Sequence, residues 1–194
     1  MSIRNIIIEP DPILRKKSTT VETVDDSTRK LLDDMLQTMY NAPGIGLAAV
    51  QIGVLKRILV IDVSKKEEEK KPLFLINPEI KIKSKKTSLY EEGCLSLPGY
   101  FAEIERPAEC IVEFIDYYGK KKKLKADGLL STCIQHEIDH LNGVLFIDYL
   151  SKLKRDMIIK KLTKQKKSLD KTVLQNSCHI KFYLLALQNF LFLF

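Results

Sequence analysis

The stretch Leu129 to Leu141 constrains the fold most: it is an apolar run at helical spacing that carries His136, Glu137, Asp139 and His140. Asp127-Gly128 precedes it, and Asn142-Gly143 ends it in the way glycine ends helices just past the last turn. An apolar helix needs cover, and the rest of the sequence supplies strands. Arg57 to Val63, Leu73 to Ile76, Ile80 to Lys83, Thr87 to Tyr90, Glu109 to Tyr117, Lys120 to Lys125 and Val144 to Ile147 are short segments with strand character. The charged segment Ser64 to Lys71 reads as a hairpin-like loop. A further helix spans Ser27 to Tyr40, with Leu31, Leu32, Met35, Leu36 and Met39 on one face and Asp26 or Ser27 as N-cap. Asn41-Ala42-Pro43-Gly44 stops it. The pattern predicts an α+β domain in which antiparallel β-sheets pack around a central helix, plus an amphipathic basic helix over Ser151 to Lys167 capped by Ser151.

The central helix contains the spacing H-E-x-x-H. Residues i and i+4 lie on one face a turn apart, so His136 and His140 can present two imidazoles to one cation. Glu137 falls beside that cation, placed to take a proton from metal-bound water, whose pKa coordination lowers from about 15.7 towards 7. Two histidines four apart can also be a pair of satisfied core or surface imidazoles. The chain has three histidines, however, and two of them occupy the motif.

A catalytic tetrahedral site takes three protein ligands and keeps one position open. Downstream of His140 there is neither the histidine extension of the metzincins nor a suitably placed acid. Upstream, Glu92-Gly93-Cys94-Leu95-Ser96 offers a thiolate. Taken alone, Cys94 reads equally as a buried cysteine at a strand end, but a His-His-Cys set completes the open site. Gly44-Ile45-Gly46-Leu47-Ala48-Ala49-Val50-Gln51 lacks the third glycine and the preceding strand of a dinucleotide loop. Its small residues let a substrate backbone approach closely, and the Gln51 amide is a neutral donor suited to a developing oxyanion.

The length of 194 residues, with 45% apolar and 29% charged residues, fits one globular domain. Met1 to Pro10 lacks the apolar region and cleavage site of a secretory signal. A cytoplasmic location, bacterial or in an organelle matrix, is therefore expected, and Cys94, Cys110, Cys133 and Cys178 are not expected to form disulfides. Cys110 and Cys133 read as small buried residues. The net charge of +7 is concentrated in Lys152 to Lys171, where nine basic residues stand against two acidic ones.

Taken in order, Gly44 to Gln51, Glu92 to Ser96 and Gln135-His136-Glu137-Ile138-Asp139-His140 resemble the three signature motifs of the peptide deformylase family. Pro10-Asp11-Pro12-Ile13-Leu14-Arg15 resembles that family's N-terminal pattern, so the likeness runs from Ile3 to Lys167. The resemblance implies a metallohydrolase that removes the N-formyl group from the formyl-methionine of nascent polypeptides and releases formate. It implies that Cys94, His136 and His140 hold Fe²⁺, replaceable by Zn²⁺, Ni²⁺ or Co²⁺. By the same likeness Glu137 is general base and then acid, while Gln51 and the Leu95 backbone N–H stabilise the oxyanion. Matching positions put Ile45, Tyr90, Leu129 and Cys133 in the walls of a methionine pocket, and Gly44 and Gly46 beside the substrate backbone. Val50 stands where the family usually has proline, which removes no catalytic group.

The catalytic domain is expected over 1–170, leaving 171–194 as an apolar tail of unknown role. Ile180 to Phe194 is shorter than the roughly 20 residues of a spanning helix, and no membrane contact is expected. The basic helix is either a solvated lysine face or, as the resemblance implies for bacterial members, an element that docks on the ribosome. Two rival functions use the same residues. One is an endopeptidase acting on internal peptide bonds; the other is a noncatalytic module with a structural zinc, for which the sequence offers no convincing fourth ligand.

Overall fold

The H-E-x-x-H stretch folds into the central helix of an α+β domain, in a computed structural model that describes residues 2–65, 68–166 and 168. The first helix, α1, is Asp26–Asn41. Strands β1 (Gly46–Ala48), β2 (Ile58–Ile61), β3 (Leu73–Lys83), β4 (Thr87–Gly93), β5 (Phe101–Pro107), β6 (Glu109–Ile115) and β7 (Lys121–Asp127) follow. The central helix α2 is Gly128–Leu141, and a basic helix, α3, runs over 152–166. All strand pairings are antiparallel, in a five-stranded sheet of order β1-β2-β3-β6-β7 and a two-stranded sheet β4-β5.

Strand β2 is buried on both faces, which explains its unbroken apolar run in place of an alternating one. Leu59 and Ile61 point to the core shared with Ile134, Ile138 and Leu141 of α2, while Ile58 and Val60 point to Leu32, Met35 and Met39 of α1. Each such side chain contributes about 1.5–3 kcal/mol by leaving water. Gln135 Nε2 donates to the Pro107 carbonyl at 2.9 Å, tying α2 to the end of β5. A third cluster joins Leu97, Ile104, Leu145 and Phe146 to Leu162 of α3. Ser151 caps α3, as the sequence predicts, through its Oγ and carbonyl.

The structure corrects several local expectations. Asp25, not Asp26 or Ser27, caps α1, accepting from Thr28 N at 2.8 Å. Leu73 to Ile76 and Ile80 to Lys83 are one strand: the break at Asn77-Pro78 is absorbed by a register shift, with Asn77 at φ 50 and its amide bonded to both backbone groups of Val21. Val144 to Ile147 is no strand. Leu145, Phe146 and Ile147 are all buried and lead into a 3-10 helix, Phe146–Tyr149, whose Asp148 accepts from Leu145 N at 2.8 Å. Strands β1 and β5 carry no clear signal in the sequence. The tail 171–194, with Cys178 and His179, lies outside the described residues. Among those described, no helix is long and apolar enough to cross a membrane.

Candidate metal centre

Three separate elements deliver the candidate ligands and donors to one place. Cys94 follows β4, His136, Glu137 and His140 project from α2, and Gln51 comes from the 3-10 helix Ala49–Ile52 after β1. Cys94 Sγ, His136 and His140 each offer a ligand atom, and these atoms lie within 4.8 Å of one another. Cys94 Sγ is 3.2 Å from His140 Nε2. The second nitrogen of His136, Nδ1, is engaged elsewhere, 2.8 Å from Glu92 Oε2, so Nε2 is left for the sulfur side. Ser96 N donates to Cys94 Sγ at 3.4 Å. Gln51 Oε1 accepts from Ala48 N at 2.8 Å, which aims Nε2 at Ser96 Oγ (3.2 Å) and Cys94 Sγ (3.6 Å).

The two imidazoles sit in different electrostatic surroundings. Burial works against charge on His136, but Cys94 and Glu92 outweigh it and push its pKa well up. Burial and the neighbouring His136 push His140 well down, which keeps that ring neutral. A sulfur facing two imidazoles is the donor set of a borderline-soft divalent metal. Glu137 is buried, and its Oε2 has no hydrogen-bond partner among the described residues. Burial raises its carboxyl to about 7, opposed by His136 and reinforced by Glu92.

The site opens on a cleft of about 380 Å³ lined by Gly44, Ile45, Gly46, Gln51, Cys94, Leu95, His136 and Glu137, with Tyr100 and Phe101 at its side. A smaller cavity of about 90 Å³ shares Ile45, His136 and Glu137 and is closed by Tyr90, Leu129 and Cys133. Of the candidate residues named from the sequence, all but the buried His140 thus line one of two adjoining spaces. A broader groove of about 490 Å³, on the outer face of the sheet beside Glu79, Glu113 and Lys121 to Lys123, contains none of them.

Over residues 3–156 the sequence matches the family described as Polypeptide deformylase. The chain belongs to the peptide deformylase family. It is therefore an enzyme that removes N-formyl groups from nascent peptides and belongs to a metalloenzyme family, and its Cys94, His136 and His140 are a group of side chains able to hold a metal ion. The peptide deformylase of Pelagibacter ubique (strain HTCC1062) is 66% identical over 166 residues, 86% of this chain and 96% of that protein. That of Rhizobium meliloti (strain 1021) is 62% identical over 168 residues, covering 87% and 97%. The crystal structure of peptide deformylase from Ehrlichia chaffeensis superposes with a TM-score of 0.82 at 46% identity, covering 86% of this chain and 98% of that one. A structure from the same organism in complex with actinonin gives 0.81 at 49% identity, covering 85% and 98%.

Sequence reasoning missed the polar groups behind the candidate ligands. Glu92 lies in the second motif yet drew no role, and Arg106 drew no attention at all. Both are buried, and they form an ion pair behind His136. The available signal was alternation: β5 turns Ile104 and Arg106 inward while Glu103 and Glu105 face out, and an arginine on the inward face needs a partner.

Proposed function

We propose that Cys94, His136 and His140 hold the enzyme's metal and that Glu137, Gln51 and Leu95 carry the hydrolysis of N-formyl-Met peptides. The observation that carries this reading is one thiol and two imidazole nitrogens converging within 4.8 Å beside a buried carboxylate with an unpartnered oxygen. When bound, the metal, Fe²⁺ or in its place Zn²⁺, Ni²⁺ or Co²⁺, supplies a Lewis acid that polarises the formyl carbonyl and acidifies water. Glu137 takes the proton from the attacking water and gives it to the departing amine nitrogen, so that formate and a free N-terminal methionine leave. Gln51 Nε2 and the Leu95 N–H donate to the formyl oxygen as it gains charge. Water is the co-substrate, and it supplies both the oxygen that leaves in formate and the proton that Glu137 passes to the amine.

The methionine side chain, slender and unbranched, suits the cavity walled by Ile45, Tyr90, Leu129 and Cys133. Among the described residues strand β1 is an edge strand, paired only with β2, and Gly44 and Gly46 leave room for a peptide backbone to add beside it. Backbone pairing of that kind is tolerant of side chains beyond the first residue, as an enzyme of many nascent chains requires. That work belongs in the cytoplasm or an organelle matrix. Helix α3 turns Ile158, Ile159 and Leu162 to the core and exposes Lys160, Lys161 and Lys164, a face suited to ribosomal RNA phosphate. Replacing those three lysines by glutamate should abolish pelleting with ribosomes at low salt; unchanged pelleting would remove the ribosome from this reading.

The test is formate release from a formyl-Met peptide by anaerobically purified protein. Release that stops on chelation and returns with Fe²⁺ supports the reading. Cleavage of an internal bond with the formyl group intact would favour an endopeptidase, in which Cys94→Ala would leave metal content unchanged.

A further inference from the structure

We infer that Arg106, Asp139 and Tyr149 are positioning residues that fix the His136 imidazole by acting through Glu92. The hydrogen bonds form a closed circuit. Glu92 Oε2 lies 2.8 Å from His136 Nδ1, and Arg106 grips the same carboxylate at two points, Nε to Oε1 at 2.5 Å and Nη2 to Oε2 at 3.0 Å. The remaining guanidinium nitrogen, Nη1, donates to Asp139 Oδ2 at 2.7 Å. Asp139 stands three residues after His136 on α2, so the helix that carries the ligand also carries the anchor of its carboxylate. Tyr149 closes the outer side: its hydroxyl donates to Asp139 Oδ2 at 2.8 Å, and its ring lies 4.8 Å from Arg106 Cζ.

The buried Glu92–Arg106 ion pair is extended outward by Asp139 and Tyr149. The two-point grip fixes the plane of the Glu92 carboxylate, and the Asp139 contact fixes the plane of the guanidinium in turn. A carboxylate held in this way accepts the Nδ1 proton and presents Nε2 as the lone pair for the metal. His140 has no equivalent; its Nδ1 is buried without a partner among the described residues. The two imidazoles are therefore held by different means, His136 by a charged circuit reaching the half-exposed Tyr149 and His140 by packing.

This inference rests on the reading of Cys94, His136 and His140 as the metal site, and one experiment separates the two. Co²⁺-loaded wild type, Asp139→Asn and Tyr149→Phe would be compared for the rate at which a chelator strips the metal and for the imidazole N–H proton resonance of His136. Asn keeps the shape of Asp139 and Phe keeps the ring over Arg106, so both variants retain the fold, checked by Tm. Asp139→Asn is expected to speed metal loss by about tenfold or more and to broaden the His136 resonance through faster exchange, with a smaller change of the same sign in Tyr149→Phe. Wild-type release rates and an unchanged His136 resonance in folded Asp139→Asn would overturn the positioning role. Wild type that takes up no Co²⁺ would instead overturn the metal reading itself.

Discussion

Gly46 faces Glu137 so closely that a methyl group at position 46 would lie 2.3 Å from Glu137 Oε1 and 2.8 Å from Cys133 Sγ. The absence of a side chain at position 46 is thus what lets the carboxylate of α2 reach the cleft. In Gly46→Ala the carboxylate has to swing away from its place beside Cys94, His136 and His140. Formate release should fall by about 10²-fold, as expected when a reacting group moves by roughly 1 Å, with the fold retained by circular dichroism. Activity within a few-fold of wild type would show that Glu137 works from another position.

Gly143 tests the end of the same helix. It follows the C-cap Asn142 at φ 77, and a Cβ there would meet the Arg15 carbonyl oxygen at 2.4 Å. Both the left-handed backbone and the contact with main chain oppose a side chain. Gly143→Ala should lose about 2 kcal/mol or more in urea unfolding, through the strain of the αL position and the displaced Arg15 segment. An unchanged urea midpoint would contradict the close packing of Arg15 on the turn after α2.

Acid should unfold the protein partly through Asp34. This buried carboxylate accepts from Ser2 N at 2.6 Å, Ser2 Oγ at 3.0 Å and Arg4 Nη2 at 2.7 Å, pinning the N-terminal segment to α1. Burial raises its pKa, but these donors and Lys30 outweigh it and hold the carboxyl well below the ordinary aspartate range. A depressed folded pKa adds stability that is complete above the unfolded value of about 3.9 and is lost as the pH falls through the folded one. Asp34→Asn should therefore melt below wild type at pH 7, with the gap in Tm closing as the pH is lowered towards 2. A gap that stays constant over that range would contradict the ionised role.

The legible parts of this protein are the ones set by spacing along the chain. His136, Glu137 and His140 share a face because a helix repeats every 3.6 residues, whatever surrounds it. Cys94 could be named because a His-His-Cys set completes an open tetrahedral site, and Gln51 because its amide is a neutral donor, although nothing local brings either to α2. The Glu92–Arg106–Asp139 circuit could not be read, since its members are 14 and 33 residues apart and meet through the register of β4 with β5 and the packing of α2 on both. Strand β3 was hidden for a similar reason: Asn77-Pro78 looks like a break until Val21, 56 residues earlier, supplies the partner that carries the strand through it. At Val144 to Ile147 periodicity could not decide, because a short run of adjacent buried residues fits a strand and a helical turn alike, and here it leads into the 3-10 helix Phe146–Tyr149.

The most direct measurement takes formate release and bound metal side by side on Glu137→Gln. The substitution keeps the size of the side chain and removes its capacity to carry a proton, leaving Cys94, His136 and His140 untouched. The expected result is metal content equal to wild type with formate release lower by about 10³-fold or more. Formate release near the wild-type rate, with the metal still bound, would contradict the assignment of Glu137 as the group that moves the proton.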